Sequence, residues 1–205
     1  MKIVYIDSYT ANPGDLSWSS FEKLGDFTAY ERTPVELVVE RCKDAEVVLT
    51  NKVKFMKEQI DQLPNLKYIG VTATGTNIVD TDYAAEKGIQ VTNVPGYSTD
   101  SVAQHTIAMI LHFSSRIADH SNAVLNGDWA NSKDFCFTLG TLSELSGKTL
   151  GIVGLGTIGR KTAQIANAMG MKICASHQSS MNRLELPYEV AVSYTHLTLP
   201  TNREV

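Results

Sequence analysis

The hexapeptide Gly154-Leu155-Gly156-Thr157-Ile158-Gly159 constrains this chain more than any other stretch, because of what stands on either side of it. Residues 150–153 (LGIV) are a short apolar run of the kind that forms a buried parallel strand. Within residues 161–169, Ile165, Ala166 and Met169 recur at helical spacing, and Gly170 supplies a helix end. Residues 171–176 (MKICAS) read as the next strand. Strand, glycine turn, helix and strand make a βαβ unit, the context that turns a weak G-x-G-x-x-G pattern into a dinucleotide-binding signal. Gly154 then permits the tight turn, Gly156 lets the backbone approach a pyrophosphate, and Gly159 lets the helix pack close to the strand. At the helix start, Thr157 and Ile158 offer free N–H groups and the positive end of the helix dipole to the phosphates.

Composition narrows the remaining choices. The chain has 205 residues, enough for one large domain or two small ones. Its net charge of −4 comes without any block of like charges, which argues against a nucleic-acid partner. No apolar run approaches the roughly 18 residues of a membrane span, and no charged leader with an apolar centre opens the chain. The reading is therefore a cytoplasmic protein with no membrane partner. Cys42, Cys136 and Cys174 are scattered, which suits reduced thiols and suggests neither a disulfide framework nor a metal site.

The first half alternates strand and helix signals. Apolar runs stand at residues 2–6, 47–50, 68–71 and 90–94, with a weaker one at 27–30. Thr33-Pro34-Val35-Glu36 predicts a capping box with proline at the first helical position, followed by an apolar face of Leu37, Val38 and Cys42. Ala84-Ala85-Glu86-Lys87-Gly88 predicts a glycine-capped helix end. Five short strands with helices between them predict an α/β domain with a parallel, flavodoxin-like sheet. Residues 100–125 then predict one long helix bridging two units, with Val102, Ala103, Thr106, Ile107, Ile110, Phe113 and Ile117 at spacings of three and four. His105, His112 and His120 share an azimuth on it but stand roughly 10–12 Å apart along the axis, too far to share a metal. Residues 126–147 are irregular yet carry Trp129, Phe135, Cys136, Phe137 and Leu139. That much apolar area is costly in water, so the segment either folds back on its own domain or, the favoured reading, packs on a partner subunit.

Three stretches together resemble the D-isomer-specific 2-hydroxyacid dehydrogenases: Gly75-Thr76-Asn77-Ile78-Val79-Asp80; Asn93-Val94-Pro95-Gly96-Tyr97-Ser98-Thr99-Asp100-Ser101-Val102-Ala103-Gln104-His105; and Glu144-Leu145-Ser146-Gly147-Lys148-Thr149 running into the glycine turn. Asn12-Pro13-Gly14-Asp15-Leu16-Ser17-Trp18 and Asp134-Phe135-Cys136-Phe137 are similar to its glycerate dehydrogenase (hydroxypyruvate reductase) branch. The resemblance implies a flavodoxin-like substrate domain over residues 1–98, a bridging helix and dimerisation arm over 99–147, and the truncated start of a Rossmann domain over 148–191. It implies hydride transfer between NAD or NADP and a small 2-oxo or 2-hydroxy acid, in a homodimer. Thr74 and Gly75 would present backbone N–H groups to the substrate carboxylate and the nicotinamide end, and Thr99 and Val102 would flank the cofactor. The acid that should follow the second strand, about 20 residues past the glycines, is replaced by Ser176-His177-Gln178. Nothing there repels a 2′-phosphate, and His177 is a candidate to accept one. The family's catalytic arginine, glutamate and histidine are expected beyond the end of this chain, so no catalytic residue is named and the chain itself is expected to be an inactive fragment. Residues 192–205 (VSYTHLTLPTNREV) match nothing in the family and resemble the translation of a transposon-type sequencing adapter, so a non-native tail is expected there. One alternative stays open, a non-catalytic, dinucleotide-sensing co-repressor-like protein, although the NPGDLSW and DFCF stretches argue against it.

Overall fold

The apolar runs of the first half pair with one another in parallel. In the computed structural model, which describes residues 1–176 and 190–192, they form β1 (Lys2–Tyr5), β2 (Asp26–Ala29), β3 (Val47–Thr50), β4 (Tyr68–Val71) and β5 (Gln90–Thr92). The strand order is β2-β1-β3-β4-β5, with Ile3 opposite Val47 and Val48 opposite Ile69. Period-2 alternation sends Val4, Val48, Ile69 and Val71 to one face. There they meet α2 (Val38–Cys42), α3 (Lys57–Ile60) and α4 (Thr81–Glu86) around a fully buried Phe55. The other face carries Tyr5, whose ring lies edge-on to Trp18 at 5.6 Å; Trp18 in turn contacts Phe21 of α1 (Ser19–Glu22) and Phe27 of β2. This is the flavodoxin-like parallel sheet that the alternating runs predict.

The predicted capping box at Thr33 does not form. Its hydroxyl is turned away from the helix start, donating to the Ile6 carbonyl at 2.6 Å and accepting from Arg41 Nη1 at 2.6 Å, and no side chain caps the turn that follows. The chain makes a 3₁₀ turn at Val35–Leu37 before α2 begins. A real N-cap appears instead at Asp80, whose carboxylate accepts from the Tyr83 N–H of α4.

The chain divides into two units, Met1–Tyr97 and Ser98–Val205. The second unit contains α5 (Thr99–Ser115), α6 (Ile117–Leu125), β6 (Thr149–Val153), α7 (Thr157–Ala168), β7 (Lys172–Ser176) and β8 (Val190–Val192). Its strands run parallel in the order β6-β7-β8. The small residues Ala163 and Ala166 on α7 are fully buried, and with Ile107 of α5, Leu155, Met171, Ile173 and Ala175 they make a second core.

Three expectations change here. The single long helix is two, because Arg116 takes a left-handed conformation (φ 49°) between α5 and α6, and the shared azimuth of His105, His112 and His120 is lost at that elbow. The elbow is held by one near partner and one distant one. Arg116 Nη1 donates to the Leu139 carbonyl, Nε pairs with Asp119 at 2.8 Å, and His120 Nε2 accepts from the Leu139 N–H at 3.1 Å. Next, β6 is buried on one face only: Leu150 and Ile152 are half-buried against α7, whereas Val153 is 69 % exposed. Among the described residues nothing covers its other face. Finally, β8 is a third strand that residue patterning missed, too short at Val190–Val192 to show a period. His177 and residues 193–205 of the expected tail lie outside the described residues; Val192, the expected first residue of that tail, ends β8. Among the described residues no helix is long and apolar enough to cross a membrane, and no group of metal-ligating side chains is assembled.

Candidate functional site

The glycine turn leaves β6 and enters α7, and each of its glycines answers a different demand. Gly154 has φ +92°, a conformation that side chains strain to adopt. Gly159 faces the turn's own backbone: a Cβ there would lie 2.3 Å from the Gly154 carbonyl oxygen. Gly156 is constrained by neither. Its φ of −75° and ψ of −165° are ordinary, and a Cβ would meet nothing within 4 Å. The space in front of Gly156 is open, and it lies before the N-terminus of α7, which no side chain caps. The N–H groups of Thr157 and Ile158 point out of the first turn of a 12-residue helix, as an anion requires. The residues present therefore fit a pyrophosphate, because a small open cradle beside uncapped donors is what that group needs.

Two contacts brace the turn. Arg160 Nε donates to the Leu155 carbonyl at 3.0 Å, and Lys161 Nζ pairs with Asp100 at 2.9 Å. Asp100 lies in the first turn of α5 between Thr99 and Val102, so the structure brings these two residues to the α7 side of the second unit. Thr99 is half-buried and Val102 is 40 % exposed, not the core position that its apolar character alone suggests. Ile158, also 41 % exposed, is free to line a ligand. The Lys161–Asp100 pair escaped sequence reasoning, since nothing local relates two charges on separate helices.

Thr74 and Gly75 belong to the first unit, in the loop that follows β4. Both are exposed, and their N–H groups donate no hydrogen bond among the described residues. The loop is positioned by its carbonyls: Thr74 O accepts from Asn93 Nδ2 at 2.7 Å and Ala73 O from the Val94 N–H at 3.0 Å. Asn93 was not singled out in the sequence as a positioning residue. Among the described residues the histidines contribute no catalytic geometry. His105 is exposed, His112 packs edge-on to Phe113 at 5.5 Å, and both ring nitrogens of His120 are spent on backbone groups.

Comparison with known proteins shows the family. The family described as "D-isomer specific 2-hydroxyacid dehydrogenase, catalytic domain" matches residues 8–199. A hydroxypyruvate reductase of Blautia hydrogenotrophica is 45 % identical over 178 residues, covering 85 % of this chain and 55 % of that protein. Among solved structures, D-lactate dehydrogenase of Aquifex aeolicus, complexed with NAD and lactic acid, superposes with a TM-score of 0.72 at 26 % identity, covering 94 % of this chain and 56 % of that one. An NADPH-dependent glyoxylate/hydroxypyruvate reductase of Sinorhizobium meliloti, in complex with citrate, gives a TM-score of 0.72 at 25 % identity, covering 95 % of this chain and 58 % of that one. The chain spans a little over half the length of each of these proteins.

Proposed function

This chain belongs to the D-isomer-specific 2-hydroxyacid dehydrogenase family, and from that premise we propose that the whole protein moves a hydride between NAD or NADP and a small D-2-hydroxy acid, with hydroxypyruvate/glycerate and glyoxylate/glycolate the leading pairs. The observation that carries this reading is Gly156, a glycine that neither backbone strain nor internal packing demands, set in open space before uncapped helix donors. Gly154, Gly156 and Gly159 would shape the cradle, and the N–H groups of Thr157 and Ile158 would hold the pyrophosphate. Thr99 and Val102 would flank the cofactor. Thr74 and Gly75 would offer their free N–H groups to the substrate carboxylate, orienting the acid. When bound, the dinucleotide supplies or accepts the hydride. Proton transfer, typically worth about 10²–10⁴-fold in rate, is not assigned to any residue of this chain. The choice between NAD and NADP rests on the segment around His177.

Two further readings go with the enzyme. The arm at residues 126–147, with Phe135 92 % exposed and Trp129 54 % exposed, supports a homodimer contact. Free cysteines at 42, 136 and 174 support a cytoplasmic location. The test of activity is loss of reduced-nicotinamide absorbance by the complete protein with hydroxypyruvate and with glyoxylate. Absence of any 2-oxo-acid-dependent loss across a panel of acids would refute the enzyme. The test of binding is a fluorescence titration of this chain with NADH and NADPH, where saturable enhancement is expected.

A further inference from the structure

The first unit holds a cleft that uses none of the residues assigned above. Its strand order, β2-β1-β3-β4-β5, reverses direction between β1 and β3. In open α/β sheets the carboxyl ends of the strands part at such a reversal and leave a crevice where ligands bind. A cleft of about 940 Å³ opens there, lined by Asp7 just after β1 and by Lys52, Val53 and Lys54 just after β3. Thr74 and Gly75 are not part of its lining.

The wall after β3 is preformed. The buried Asp7 carboxylate accepts hydrogen bonds from the N–H groups of Asn51, Lys52 and Val53, at 2.7, 2.6 and 3.0 Å. Three bonds to one ionised group fix the backbone from which Lys52 and Lys54 project. The charges around the cleft are spent unevenly. Asp7 is used on the loop, Asp80 on capping α4, and Glu31 lies 4.0 Å from Arg32. Arg32 also stacks on Tyr9 at 4.1 Å, and Lys57 lies over the Tyr83 ring at 4.9 Å. Lys52 and Lys54 line the cleft with no ion pair among the described residues, and Glu58 is the one lining carboxylate without a partner there. Val35, Val53 and Met56 supply apolar surface to the same lining.

We propose that this cleft binds a small organic anion, its carboxylate or phosphate head between Lys52 and Lys54 and its short apolar body against Val35, Val53 and Met56. The cleft's size falls within the roughly 300–1,000 Å³ of small-molecule sites. The proposal does not depend on hydride transfer, so it stands or falls separately from the dehydrogenase reading.

The test is a titration of the ¹⁵N-labelled 205-residue chain with n-butyl phosphate and with pentanoate, which separates a phosphate from a carboxylate head. Inorganic phosphate and pentanol, each carrying half of the chemistry, serve as controls. Saturable amide shifts are expected at residues 35–38 and 52–57 with at least one of the two anions. The Lys52→Gln/Lys54→Gln double variant should bind about ten-fold more weakly with its unfolding midpoint unchanged. Should that variant not fold, added salt takes its place, and affinity should fall as screening rises. No saturable shift with either anion, shifts centred on Thr74 and Gly75 or on the glycine turn, an affinity indifferent to both the variant and salt, or pentanol alone binding as well would each overturn the proposal.

Discussion

Alanine placed at each glycine of the turn in separate variants should produce three different outcomes, because the three positions answer to three different forces. At Gly154 the backbone has φ +92° with no neighbour within 4 Å, so the cost is conformational, about 1–2 kcal/mol of stability. At Gly159 the new Cβ would stand 2.3 Å from a carbonyl oxygen and 3.3 Å from the carbonyl carbon of Gly154. Backbone cannot swing aside as a side chain can, so the cost lies at or above the upper end of the ~1–3 kcal/mol of overpacking. At Gly156 neither cost applies, and Gly156→Ala should lose under about 1 kcal/mol, from the N-cap preference for glycine over alanine. Cofactor binding should rank differently. A methyl group at Gly156 fills the space before Thr157 and Ile158 and breaks about two charge-assisted bonds, near 1.5 kcal/mol each, or roughly 100-fold in affinity. Gly156→Val should abolish binding while the fold survives. The assay is urea unfolding in a Trp18→Phe background, where Trp129 is the remaining tryptophan and reports the second unit, alongside NADH titration. The reasoning is refuted if Gly156→Ala destabilises as much as Gly159→Ala while leaving NADH affinity unchanged.

Other perturbations follow from the same contacts. Asp7→Ala removes the acceptor of three loop N–H groups and should cost about 3 kcal/mol, read from Trp18 fluorescence in a Trp129→Phe background; an unchanged urea midpoint would show the loop to be held otherwise. Burial pushes the Cys42 thiol up to about 12, so the folded state resists ionising it. Stability from this source is fully present below the ordinary thiol range and is lost as pH rises toward 12; Cys42→Ser should flatten that alkaline decline, and at pH near 8 a thiol reagent should label the exposed Cys136 long before Cys42. If residues 126–147 form a homodimer contact, the complete protein should sediment as a dimer at micromolar concentration, and Phe135→Asp should shift it to monomer without changing its circular dichroism. A monomeric wild type would end that reading.

Much of this architecture was legible because its signals are local. The runs at residues 47–50 and 68–71 carry their own apolar pattern, and they are strands within the same bounds. The glycine turn announced itself by its spacing and its flanking strand and helix, and the structure gives Gly154 a backbone reason and Gly159 a packing reason. What escaped depended on partners far along the chain. Thr33 has the residue type of an N-cap, yet it serves Ile6, a partner 27 positions away. Residues 100–125 have the periodicity of one helix, but the price of a left-handed Arg116 is met by bonds to Leu139, 23 positions on. Asp7 shows nothing in its own neighbourhood of the loop that it organises 44 to 46 residues later. The apolar run at 150–153 predicts a strand correctly, but burial belongs to whatever packs on the strand, and Val153 stands exposed. The amino-acid sequence by itself determined most of the strands and the glycine turn, since backbone conformation, periodicity and steric freedom act over a few neighbouring residues. Only the tertiary structure decided where hydroxyls and carboxylates spend their hydrogen bonds, where the long helix bends, and which strand ends part to open a cleft. Those outcomes are set by contacts between segments whose separation along the chain carries no information about their separation in space.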